Sequence, residues 1–123
     1  NRIEIHDIEP FDSLVRGHVA LLGDAAHSTT PDIGQGGCAA LEDAVVLGDC
    51  LRENHNITLA LRQYEALRCD RVRDLVLKAR KRCDVTHGKD MALTRAWYQE
   101  LREETGERII NGLCDTIQGG PLG

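Results

Sequence analysis

The residues best equipped for chemistry in this chain lie between Gly23 and Asp43, in the string GDAAHSTTPDIGQGGCAALED. An apolar run, Val19-Ala20-Leu21-Leu22, stops at Gly23-Asp24. A glycine there permits a tight exit from a strand. Asp24 then projects at the carboxyl end of a sheet, where open α/β sheets bind their ligands. A carboxylate at that point can accept hydrogen bonds from the hydroxyls of a sugar or polyol. Twelve residues after Asp24, Gly36-Gly37 leads into a helical pattern. Glycines let backbone N–H groups approach a ligand, and a helix N-terminus adds the equivalent of about half a positive charge. Together the two ends suit a ligand with hydroxyls at one point and an electron-rich, partly anionic group at another. His27 lies between them and reads as structural. No residue reads as a catalytic acid or base, and none as a metal ligand.

The elements around this string follow from periodicity. Arg2 to His6 alternates, with Ile3 and Ile5 on one side, and reads as a short half-buried strand. Asp7 to Gly17 reads as loop. Val19–Leu22 suits a strand buried on both faces, as in a parallel sheet. Ala25 to Gly37 is irregular: Pro31 does not sit inside a helix, and Gly34, Gly36 and Gly37 admit unusual backbone angles. From about Cys38 the pattern is helical, with Ala40, Ala44, Leu47 and Leu51 on one face and Leu41 and Val45 beside them. This helix ends near Asn54 to Asn56. Thr58 is the candidate cap of a second helix, whose stripe is Leu61, Tyr64, Leu67, Arg71/Val72, Leu75 and Ala79. That helix runs to about Val85 and stops at Thr86-His87-Gly88. A third spans Asp90 to Glu104 with the stripe Leu93, Ala96, Trp97 and Leu101. Gly106 breaks it, Glu107 to Ile117 forms a fourth, and Gln118 to Gly123 is loop.

Two strands cannot pair the backbone of a strand buried on both faces. The chain therefore reads as the C-terminal part of a larger α/β protein. Residues 1–56 form the ligand-binding segment and residues 57–123 a helical C-terminal region.

Composition excludes several functions. The 123 residues hold 15 Lys and Arg against 20 Asp and Glu, a net charge of −5, and only 3% are aromatic. Neither a basic nucleic-acid binder nor a base-stacking surface fits. No apolar run approaches the roughly 20 residues of a membrane helix. The five cysteines are widely spaced, with no CxxC and no zinc-finger spacing. They read as reduced, mostly buried thiols of a cytoplasmic protein. Arg62 to Arg82 holds eight basic and three acidic residues. It reads as a solvated helix face paired with an acidic surface. Trp97 and Tyr98 read as packing residues.

The ordered string resembles a known family. Gly23-Asp24-Ala25-Ala26-His27, then Pro31, then Gly34-Gln35-Gly36, then Glu42-Asp43-Ala44 is similar to the second FAD-binding motif of the flavin-dependent aromatic hydroxylases, the class A flavoprotein monooxygenases. The resemblance implies the C-terminal part of a Rossmann-like FAD-binding domain, with one or two strands, followed by a mainly helical region. It implies that Asp24 contacts the ribityl chain of FAD. Pro31, Gly34 and Gln35 would lie along the flavin ring, and the amides of Gly36, Gly37 and Cys38 would face its pyrimidine edge. Ile33, Gly34 and Gln35 would border the substrate.

Further runs, Tyr64-Glu65-Ala66, Arg80 to Asp84 and Trp97 to Gly106, resemble the urate-hydroxylating branch of that family. The reaction implied is purine-catabolic: hydroxylation of urate to 5-hydroxyisourate with NADH and O2. The partners implied are small molecules, with no nucleic acid and no membrane. No GxGxxG is present. The family's first dinucleotide fingerprint and its substrate-binding sheet are expected upstream, so this chain alone should hold flavin weakly and not turn over. Two alternatives stay open: a flavin hydroxylase of another aromatic substrate such as salicylate, and a cofactor-free helical binding module.

Overall fold

The computed structural model describes residues 4–120. Near its start, Gly17 has a φ of 62°. This left-handed angle turns the chain between β1 (Val15–Arg16) and β2 (Val19–Ala20). The two pair antiparallel, Val15 opposite Ala20 and Arg16 opposite Val19. Leu21 N–H returns to the Leu14 carbonyl at 2.8 Å. The expected doubly buried strand is therefore corrected. Val19 is 63% exposed, and only Ala20 and Leu21 lean on the core. The turn at Gly17 pairs the run with residues read as loop, which buries one face instead of two. The expected strand at Arg2–His6 is not seen over residues 4–6, which are exposed and unpaired in any ladder. Arg2 and Ile3 lie outside the described residues.

The remainder is mainly helical. A single turn, α1 (Asp24–His27), and a 3-10 turn (Pro31–Ile33) precede α2 (Gly36–Glu53), α3 (Ile57–Thr86), α4 (Met91–Glu103) and α5 (Glu107–Gln118). The cap of α3 is Asn56 and not the expected Thr58, which lies inside the first turn: the Asn56 side chain accepts from Thr58 N–H at 2.9 Å and Leu59 N–H at 3.2 Å. Asp90 caps α4 in the same way through Ala92 N–H at 2.8 Å. Gln118, expected in the tail, closes α5, and 121–123 lie outside the described residues. No helix among the described residues is long and apolar enough to cross a membrane.

The core sits between α2 and α3, with Leu14 and Ala26 against it. On α3 the buried residues are Ala60, Leu61, Tyr64, Arg68, Val72, Leu75, Val76 and Ala79. Leu67, expected in that stripe, is exposed. On α2 they are Ala39, Asp43, Val46 and Cys50. The expected stripe of α2 is rotated by one residue: Leu41 is 70% exposed, and Val45 and Leu51 also face outward. The buried stripe contains an acid, Asp43, that an apolar pattern does not count.

The outer helices depart further from expectation. On α4 only Thr94 is buried, its hydroxyl donating to the Val85 carbonyl at 2.7 Å. Nothing on α5 is buried. All five cysteines are free, as expected, but only Cys50 is buried. Trp97 is half-buried under the Arg82 guanidinium, 5.5 Å from the ring centroid, whereas Tyr98 is exposed.

Candidate functional site

The backbone at Gly23 has φ 59° and ψ −146°. That region is essentially open to glycine alone, and a Cβ there would stand 3.4 Å from Ala40 Cβ. The turn delivers Asp24 as the first residue of α1, exposed. Six residues later, Thr30 is extended (φ −64°, ψ 150°), as the residue before a proline must be. Pro31 opens the 3-10 turn and Gly34 closes it with φ 64°, its N–H donating to the Pro31 carbonyl at 3.0 Å. Gln35 then caps α2 without a side-chain bond. The first helical bond of α2 runs from Ala39 N–H to the Gln35 carbonyl, 2.9 Å. The amides of Gly36, Gly37 and Cys38 precede it and have no intrahelical acceptor.

The surroundings of these residues differ. A Cβ on Gly34 or Gly37 would meet nothing within 4 Å, while one on Gly36 would press on Thr29 Cγ2 at 3.3 Å. Ile33 and Gln35 are half-buried; Pro31 and Cys38 are exposed. The structure thus gathers Pro31, Ile33, Gly34, Gln35, Gly36, Gly37 and Cys38 into one continuous turn and helix start. Asp24 lies on the neighbouring turn, joined to α2 through Gly23.

That join is a buried ionic network. Asp43 Oδ2 accepts from Gly23 N–H at 2.9 Å and from His27 Nε2–H at 2.7 Å. The carboxylate can only accept, so Nε2 of His27 carries the proton. Asp43 Oδ1 accepts from Arg68 Nε at 2.7 Å. Arg68 also donates to Glu42 Oε2 at 2.6 Å and to the Ala39 carbonyl at 3.1 Å. Arg71 donates to Glu42 Oε1 and to the Thr116 carbonyl, at 3.1 and 2.9 Å. Asp43 and Arg68 side chains are both fully buried. Burial pushes the Asp43 carboxyl up, but hydrogen bonds from His27, Gly23 and Arg68 outweigh it and hold the carboxyl below its usual range. Glu42 is lowered in the same way, against burial, by Arg71 and Arg68. One carboxylate thus fixes the Gly23 turn, α1 and α3 to α2.

Two further anchors hold the surroundings. Glu65 Oε1 accepts from Leu14 N–H at 2.8 Å, Val15 N–H at 3.0 Å and the Ser13 hydroxyl. The Ser13 bond is the main cause of its lowered carboxyl pKa. Tyr64 hydroxyl donates to the Leu21 carbonyl at 2.8 Å, at the end of the run that leads to Gly23. Sequence reasoning had not given Arg68 and Arg71 a site role. The available signal was the adjacent pair Glu42-Asp43 on a helix followed by arginines on the next.

The geometry is therefore a glycine turn with an exposed aspartate, a loop with an open glycine face, and a helix start with three amides lacking helical acceptors. A sequence-family profile described as FAD binding domain matches residues 9–79. The chain belongs to the FAD-binding domain family. The matched part of this FAD-binding domain includes β1, β2, the Gly23 turn, the glycine loop, α2 and most of α3.

Individual relatives agree with this membership. The chain is 86% identical over 123 residues to a FAD-dependent urate hydroxylase of Klebsiella oxytoca, covering 100% of this chain and 32% of that protein. It is 55% identical to one from Mycolicibacterium vanbaalenii, over 99% of this chain and 31% of the relative. The FAD-binding domain superposes with a TM-score of 0.96 on the crystal structure of Klebsiella pneumoniae HpxO complexed with FAD and uric acid. The identity there is 82%, over 100% of this chain and 32% of that one. The chain thus spans about a third of the length of the curated relatives it matches.

Proposed function

We propose that this chain is the second cofactor-gripping segment of an FAD-dependent monooxygenase that hydroxylates urate to 5-hydroxyisourate with NADH and O2, as a step of purine catabolism. The observation that carries the reading is the 86% identity, over every residue of the chain, to a FAD-dependent urate hydroxylase. Residues 1–56 carry the flavin-facing part of the FAD-binding domain, and 57–123 form a helical C-terminal region whose first helix, α3, lies mostly within the matched stretch 9–79. The free cysteines support a reducing compartment, the cytoplasm.

The residues present fit a flavin. Asp24, exposed on its turn, accepts from ribityl hydroxyls. Pro31, Gly34 and Gln35 lie along the ring, where the open face of Gly34 leaves room for it. The amides of Gly36, Gly37 and Cys38 point the positive end of α2 at the pyrimidine edge. They stabilise negative charge there by about 0.3–2 kcal/mol. FAD supplies the redox and oxygen chemistry when bound. Ile33, Gly34 and Gln35 border urate and exclude water from one side of it. No side chain of this segment takes or gives a proton. The segment holds and orients; alone it binds flavin weakly and does not turn over.

The test uses the flavoprotein that carries this sequence. NADH oxidation is followed with urate, with salicylate and with neither. Urate-dependent consumption supports the proposal. A flavin-containing protein that responds to salicylate or to neither removes urate and leaves the cofactor reading. A protein without flavin removes both.

A further inference from the structure

Away from the Asp43 network, the end of α3 meets the 3-10 turn through a second polar cluster. Cys83 and His87 are four residues apart, so they lie on one face of the helix end. Asp32, on the 3-10 turn, packs against them. Asp32 Oδ1 accepts from His87 Nε2 at 2.9 Å and from the Thr86 hydroxyl at 3.1 Å. One ligand atom each from Asp32, Cys83 and His87 lies within 4.8 Å of the other two. The Asp32 side chain is only 8% exposed, Cys83 is half-buried, and the His87 side chain is 67% exposed.

We propose that Asp32, Cys83 and His87 form a site for a divalent cation of the Zn2+ class. The donor set selects the metal. Thiolate and imidazole suit zinc, whereas magnesium and calcium take oxygen ligands. Zinc bonds of about 2.0–2.3 Å place tetrahedral ligand atoms roughly 3.3–3.8 Å apart. Asp32 Oδ1 and His87 Nε2, at 2.9 Å, thus open slightly, while their distances to Cys83 Sγ, within 4.8 Å, close by up to about an ångström. His87 supplies the movement, because it is exposed and sits just beyond the last helical residue, Thr86. On binding, the Cys83 thiol loses its proton to solvent and its sulfur bonds the metal. The Nε2 proton of His87 passes through solvent to Nδ1, so the neutral imidazole presents Nε2 to the metal; His87 and Asp32 thereby exchange their mutual hydrogen bond for metal bonds, and water takes the fourth position. Thr86 continues to donate to Asp32 and so orients that ligand from outside. Asp32 immediately precedes Ile33 and Gly34, so the metal ties the glycine loop to the end of α3.

The flavoprotein that carries this chain is treated with a chelator, then titrated with Co2+ and afterwards with Zn2+, in difference spectra against the metal-free protein. One equivalent of Co2+ is expected to produce a thiolate-to-cobalt charge-transfer band in the near ultraviolet, and Zn2+ to displace it. Cys83→Ser should abolish the band. Asp32→Asn and His87→Ala should each weaken Zn2+ at least about tenfold. Cys38→Ser and Cys114→Ser, which alter the two exposed thiols elsewhere, should keep the band. Absence of stoichiometric metal uptake by the unaltered protein overturns the proposal. So does a band that survives Cys83→Ser, or Zn2+ affinity unchanged in His87→Ala, an exposed position where folding is not at stake. The flavin spectrum of the metal-free protein reports separately on the cofactor reading, and the metal site does not depend on it.

Discussion

Removing the Arg68 guanidinium should be the most damaging single truncation on α3. The side chain is 0% exposed and donates to Asp43, Glu42 and the Ala39 carbonyl at 2.7, 2.6 and 3.1 Å. In Arg68→Ala, Asp43 keeps only Gly23 N–H and His27, inside the core and without a neutralising cation. Breaking a buried pair by deleting one partner costs about 3–5 kcal/mol. Native proteins hold only about 5–15 kcal/mol in total. With a urea slope of roughly 1–3 kcal/mol per molar, the midpoint falls by at least about 1 M. Arg73→Ala, on the same helix but with exposed partners Asp12 and Asp70, should cost about 1 kcal/mol or less.

The pH dependence separates the ionic account from simple loss of packing. The Asp43 and Glu42 carboxyls are both held below their ordinary range in the folded protein. Their contribution is therefore present above the unfolded carboxyl values of about 3.9 and 4.3, and is lost as pH falls through the lower folded values. Arg68 supports that lowering, so the gap between wild type and Arg68→Ala should be full at about pH 7 and narrow below about pH 4. Urea unfolding followed by circular dichroism at several pH values reads both quantities. A loss under about 1 kcal/mol at neutral pH, or a gap that stays constant into acid, would refute the buried-network argument.

Three other substitutions address the loop and its turn. Asp24→Ala should weaken FAD retention while leaving the unfolding midpoint in place, since Asp24 is exposed; unchanged FAD affinity by fluorescence titration removes the assignment. Gly37→Val tests the open glycine face more cleanly than Gly36→Val, because a Cβ at Gly37 meets no protein atom within 4 Å whereas one at Gly36 meets Thr29. Flavin content should fall without loss of fold, and normal flavin content would show that the ring lies elsewhere. Gly23→Ala should cost about 1–3 kcal/mol by forcing a side chain into a glycine-only region, and a thermal shift within error would contradict the backbone geometry assigned to that turn.

Local signals were legible in the sequence, and long-range pairings were not. Asp90 and the polar cluster Asn54 to Asn56 mark helix ends because caps are written within three residues of the group they satisfy. The order of glycines from Gly23 to Gly37 was equally legible, because positive φ at Gly23 and Gly34 restricts the residue type directly. The rotation of the α2 stripe was not, because the buried Asp43 is satisfied by partners distant in the chain, His27 at 16 residues and Arg68 at 25. Hydrophobic periodicity scores each residue alone, and a neutralised pair has no period.

The same blindness explains the basic run on α3. Counted along the chain, Arg62 to Arg82 is an excess of positive charge. In space Arg68 and Arg71 neutralise Glu42 and Asp43, while Arg80 donates to Asp7, Glu9 and the Ile8 carbonyl at 2.8, 2.9 and 3.2 Å. Arg73 reaches Asp12 at 3.2 Å. The expected pairing with an acidic surface thus describes Arg73 and Arg80, but Arg68 is a core residue. One long helix supplies the cations along its length, and the acidic first half of the chain is drawn onto it. The turn at Gly23 and the start of α2 keep their relative places because Asp43 of α2 holds the turn directly, while Arg68 of that helix holds both Asp43 and the Ala39 carbonyl.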